Sequence, residues 1–150
     1  MTNRIIIPLL CAASVVAFAR GTTGHKSTLA ASIPNNKTAE VSSLFTVNAA
    51  HNVEFKLDVR NNTKKMVELR FPSGRTHDFI VQDERGVEVW RWSKSHLFTQ
   101  GIQNKLVKAK DVTVFSEEWN PGTTRGKFTA IAVLASDNHP IEERVQFEFK

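Results

Sequence analysis

From residue 45 onward the chain alternates apolar and polar side chains with a period of two. Phe45, Val47 and Ala49 begin the pattern, and Val53, Phe55, Leu57 and Val59 continue it against Glu54, Lys56, Asp58 and Arg60. Alternation of this kind puts one set of side chains on each face of an extended strand, the apolar set toward a core. The period recurs in residues 66–71, where Val67, Leu69 and Phe71 share a face, and in residues 77–82, 87–92, 112–119, 127–134 and 144–150, the last aligning Val145, Phe147 and Phe149. Turn-forming stretches separate the runs: Asn61-Asn62-Thr63, Pro72-Ser73-Gly74-Arg75 and Asp83-Glu84-Arg85-Gly86. Helical periodicity is missing almost everywhere. The pattern predicts an all-β domain over residues 44–150, an immunoglobulin-like antiparallel β-sandwich of seven to eight strands. Residues 93–110 break the period, with Leu97, Phe98, Ile102, Leu106 and Val107 at no fixed spacing. They read as a long crossover loop with room for a short helical turn.

Two stretches ahead of this domain lack the alternation. Residues 1–19 carry Arg4 as their one charge, an uncharged apolar run from Ile5 to Ala19 and a closing Ala17-Phe18-Ala19, the arrangement of a secretory signal cleaved after Ala19. That run is shorter than the ~20 residues of a spanning helix, and Leu10 precedes Cys11 where lipidation requires a small residue. A retained anchor or a lipid tether through Cys11 is the alternative. The expectation is a secreted, periplasmic or cell-envelope protein with no stable membrane span after cleavage. Residues 20–43, rich in Gly, Thr, Ser, Ala and Asn, read as a flexible tether. Cys11 is the only cysteine, so cleavage would leave no disulfide, thiol nucleophile or thiolate ligand.

A net charge of +5 is mild, and the basic residues are interspersed with acids rather than gathered in a stripe, which argues against a nucleic-acid partner. Neither Gly-x-Ser-x-Gly nor His-Glu-x-x-His occurs. The histidines His25, His51, His77, His96 and His139 lie singly, without the paired spacing of a metal site, and read as surface or turn residues. Glu117-Glu118 and Glu142-Glu143 are adjacent on strands and point to opposite faces, so each pair reads as solvated edge charge rather than as a general acid and base. No catalytic, cofactor-binding or metal-binding residue is expected, and the chain does not read as an enzyme. Asn36-Lys37-Thr38 and Asn61-Asn62-Thr63 match the glycosylation acceptor pattern, but Asn61-Asn62 reads more simply as a turn that tolerates positive φ.

The stretch Trp90-Arg91-Trp92-Ser93 holds two of the chain's three tryptophans. On a strand both indoles face one side and Arg91 the other, so the pair is either core or an exposed stacking platform. Phe79, Val81 and Trp119 are available to pack against it, which favours burial, with Arg91 turned outward or paired with an acid on the neighbouring strand.

This motif sits in an ordered set. Asn61-Asn62, Phe71-x-Ser73-Gly74, Asp78-Phe79-x-Val81, Asp83-x-x-Gly86, Trp90-Arg91-Trp92-Ser93 and Phe98-Thr99-Gln100, followed by Trp119, Pro121-Gly122 and Val145 to Phe149, resemble the intracellular proteinase inhibitor family, or BsuPI domain. The chain departs from it at Lys108 to Asp111 and at Pro121 to Phe128, and in carrying an apparent leader. The resemblance implies a β-sandwich and a non-enzymatic binding module, with a serine protease as partner. An inhibitor that imitates substrate offers an exposed, pre-ordered loop bearing an anchor side chain. Ser95 to Gly101 is the candidate, with His96, Leu97, Phe98, Thr99 and Gln100 as partner-binding residues; Phe98 could instead plug the end of the sandwich. The other function is a structural or protein-interaction domain of the cell envelope without inhibitory activity.

Overall fold

A computed structural model of the chain describes residues 27–32 and 39–150. Ten strands are present among them: β1 (Thr28–Ala31), β2 (Val41–Ala49), β3 (Val53–Asn61), β4 (Val67–Phe71), β5 (His77–Asp83), β6 (Glu88–Arg91), β7 (Gln103–Val107), β8 (Val112–Trp119), β9 (Gly126–Leu134) and β10 (Ile141–Phe149). One sheet runs β1-β2-β3-β8, a second β10-β9-β5-β6, and β4 pairs with β7 as a separate ribbon. Every pairing is antiparallel. The protein is an all-β sandwich.

Alternation explains the layering. On β3 the residues Val53, Phe55, Leu57 and Val59 are buried, while Glu54, Lys56 and Arg60 are exposed. Aromatic rings bridge the sheets: Phe55 stacks on Phe79 at 5.6 Å between ring centroids, and Phe45 stacks on Phe79 at 5.8 Å. Burying a ring of this size stabilises the fold by about 1.5–3 kcal/mol relative to leaving it in water. One flank closes where Trp90 of β6 stacks on Trp119 of β8, and a hydrogen bond from Ser43 of β2 to Glu143 of β10 joins the sheets elsewhere. Both partners of that bond are buried and 2.6 Å apart, so Glu143 is no solvated edge charge.

Two strands lie where none was expected. Thr28–Ala31 pairs with β2 inside the stretch read as a tether, and β2 itself begins at Val41, three residues ahead of the expected domain start. Residues 1–26, which include the signal segment, and residues 33–38, which include Asn36-Lys37-Thr38, lie outside the described residues. Gln103–Val107 is also a strand, within the segment read as a crossover loop. All its residues but Val107 are exposed, so no alternation marks it. The helical turn is found at its start, as one turn of 3-10 helix over Trp92–Ser95.

The turn chemistry is specific. Gly86 has φ +78° in the turn after β5, where its N–H donates to the Asp83 carbonyl and the Asp83 carboxylate accepts from the N–H groups of Arg85 and Val87. Asn61 has no positive φ; among non-glycine described residues only Lys110 does. Asn61 is instead a buried clamp, its amide nitrogen 2.7 to 3.0 Å from the carbonyls of Lys65, Val107 and Lys108 and its amide oxygen accepting from Thr63. Its burial leaves no access for glycosylation.

Candidate functional site

The register β5–β6 sets Ile80 opposite Arg91 and Val81 opposite Trp90. Trp90 therefore points with Val81 into the sandwich, where it stacks on Phe55 at 5.5 Å, and Arg91 points with Asp78 and Ile80 to the outer face. Both Trp90 and Trp92 are half-buried against the core, so neither is a free platform. Arg91 pairs with Asp78 at 3.2 Å and with Glu88 at 2.8 Å, and Lys94 adds a contact to Glu88 at 2.7 Å. Hydrogen bonds from Arg91, then from Lys94, bring the Glu88 carboxyl down to about 2. Asp78 is almost fully buried and also accepts from the Ser93 backbone N–H and hydroxyl, at 3.1 and 2.6 Å. These bonds end β6 and start the 3-10 turn that carries Trp92.

Trp92 stacks with two imidazoles, His77 at 4.5 Å and His96 at 4.4 Å between ring centroids, with interplanar angles of 19° and 30°. Phe98 leans on Trp92 at 5.4 Å. His96 Nδ1 is 2.9 Å from the Trp92 carbonyl, which ties the loop back to the turn. Further along, the Thr99 carbonyl accepts from the Gly74 N–H at 2.9 Å. A Cβ on Gly74 would sit 2.6 Å from Thr99 Oγ1 and 3.1 Å from its backbone nitrogen, so only glycine lets the two segments approach this closely. Between these ties Leu97 is fully exposed, more so than any other large apolar side chain among the described residues.

The five expected partner-binding residues are thus distributed along one held loop. Phe98 is half-buried against Trp92, His96 stacks on Trp92 while remaining exposed, Thr99 is exposed but held through its carbonyl, and Leu97 and Gln100 are exposed. Three residues that hold this arrangement, Gly74, His77 and Asp78, were not among the candidates. Gly74 and Asp78 lie inside recognisable motifs, whereas nothing near His77 in sequence marks its role. His77 is not the surface histidine expected from spacing: its side chain is 12% exposed, and its Nε2 lies 3.1 Å from Glu117. Glu117 correspondingly faces inward rather than being a solvated edge charge. Burial is the main force lowering the His77 pKa, with Glu117 and Asp78 opposing it and Lys105 reinforcing it. Among the described residues no cluster of three or more His, Cys, Asp or Glu could hold a metal, and no helix is long and apolar enough to cross a membrane.

Residues 40–139 match the family model described as intracellular proteinase inhibitor, BsuPI, and the chain belongs to that family. A comparison with curated proteins gives no match. Family membership points to a proteinase-inhibitor type of function, to a protease as partner and to a non-catalytic protein. It also corrects the expectation of export: the family is described as intracellular, which points to the cytoplasm rather than to secretion or the envelope. The apparent leader that suggested export lies outside the described residues.

Proposed function

We propose that the protein inhibits a serine protease by inserting the loop 96–101 into its cleft, with Leu97 as the anchor. The observation that carries this is the combination of a fully exposed Leu97 with His96 and Phe98 on either side of it, both in ring contact with Trp92. An apolar side chain left in water on a held loop has little to gain from the protein's own fold and much from a partner's apolar pocket. Pre-ordering reduces the entropy lost on docking, which is how a short loop can bind tightly. Leucine selects proteases with an apolar specificity pocket, of the subtilisin-like kind, over trypsin-like ones that require a cation.

Titration of the full chain against both kinds of protease tests this. Inhibition of the subtilisin-like enzyme is expected, with Leu97→Asp weakening it by about 2–4 kcal/mol, as for a central anchor residue. The thermal melt of the variant should match that of the parent, since Leu97 is fully solvated in the free protein. Inhibition unchanged by Leu97→Asp, or no inhibition across the panel, would overturn the proposal.

A further inference from the structure

The Trp92 plate on which the loop rests is itself stacked on a confined, titratable ring, His77. His77 is enclosed by Thr76 just ahead of its strand, by Phe115 and Glu117 of β8, by Lys105 of β7 and by Trp92 of the 3-10 turn, with Asp78 next to it in the chain. The Glu117 carboxylate can only accept, so Nε2 of the neutral ring donates to it, and the Thr76 hydroxyl, 3.0 Å from Nδ1, donates to the ring. Every polar atom of the neutral ring is therefore matched. A second proton has to go on Nδ1, where the Thr76 hydroxyl turns from donor to acceptor, and it charges a ring that is largely out of water. Lys105 repels that charge. Asp78 and Glu117 attract it, but burial is the larger effect.

We propose that His77 is the positioning residue of the inhibitory loop, holding Trp92 as the plate on which His96 and Phe98 register Leu97, and that proton uptake by His77 releases the plate and weakens inhibition. The inference rests on the loop 96–101 being the inhibitory one. The direction follows from the ring's preference for neutrality inside the fold. Above its ordinary pKa of 6.5 the ring is neutral both in place and swung out to water, and nothing is lost. As the pH falls below that value, the swung-out ring takes up a proton more readily than the enclosed one, and the population with an unsupported Trp92 grows.

The test is the inhibition constant of the full chain against a subtilisin-like protease from about pH 7.5 to about pH 5.5, taken as the ratio of variant to parent at each pH so that the protease's own titration cancels. The parent is expected to lose affinity on acidification relative to His77→Phe, which keeps an aromatic plate but takes no proton. His77→Gln, also non-titrating, should likewise have a flat profile from a weaker starting point, and His77→Ala should be weak throughout. A parent profile reproduced by both His77→Phe and His77→Gln overturns the inference while leaving the loop assignment intact. Loss of the loop assignment is seen separately, in Leu97→Asp. If no protease is inhibited, the same device is read in the free protein by the Trp92 indole NMR signal and amide exchange at Leu97. A pH-dependent change in the parent that disappears in His77→Phe supports it, and no change in the parent overturns it.

Discussion

Arg91 and Arg85 stand six residues apart on the same hairpin, and both are ion-paired, yet their worth differs. Arg85 pairs with Asp83 at 2.9 Å with its side chain 81% exposed, where water and salt leave little net gain. Arg91 reaches Asp78, whose side chain is only 4% exposed. Truncation there leaves a buried carboxylate with only the Ser93 N–H and hydroxyl as donors. Arg91→Ala is therefore expected to destabilise the fold by about 1–3 kcal/mol, against less than about 0.5 kcal/mol for Arg85→Ala. Chemical denaturation of the two variants checks this, and equal midpoints would mean that Asp78 finds another donor. That Arg91 turns outward toward an acid on the next strand was legible from the period of two. That this acid is buried was not, because burial on the outer face of β5 depends on what folds over it.

Among the elements, the tie between the Pro72-Ser73-Gly74-Arg75 turn and the loop 96–101 joins segments distant in sequence through one hydrogen bond and one missing Cβ. Gly74→Ala forces Thr99 to move, which should weaken inhibition by about tenfold or more while the core strands, none of which contains either residue, keep their stability. A protease titration beside a thermal melt separates the two, and parallel losses in both would place Gly74 in the fold rather than in the loop. Strands with a buried face, such as β3 and β10, could be read directly because alternation records contact with a core. Strand β7 could not: its pairing with β4 leaves Asn104, Lys105 and Leu106 exposed, so its sequence carries no record of the partner. The loop segment was visible as the place where the period fails. The His77 stack beneath it was not, since it depends on three-dimensional proximity between β5, β8 and the 3-10 turn.

At the scale of the whole molecule, two sheets and a ribbon present several strand edges. The ribbon is partly covered: the Asn138 side chain and the Asp137 N–H bond the backbone of β4 at Glu68 and Arg70. Strand β2 is covered on its outer side by β1, whose residues Thr28 to Ala31 pair with Ala49 to Thr46. The family match begins at residue 40, so this cover lies outside the matched domain. A β1-less chain would have a nine-residue strand, β2, with an open row of N–H and C=O groups over much of its length. An edge of this kind is a template for another copy of itself. Removing residues 1–39 should accordingly convert a chain that behaves as a discrete species into one whose size grows with concentration, which light scattering across a dilution series would register. A truncated chain with a constant mass would mean that β2 needs no cover. On the expected outcome Thr28–Ala31 is a sheath, keeping the edge of β2 from neighbouring copies in a crowded solution.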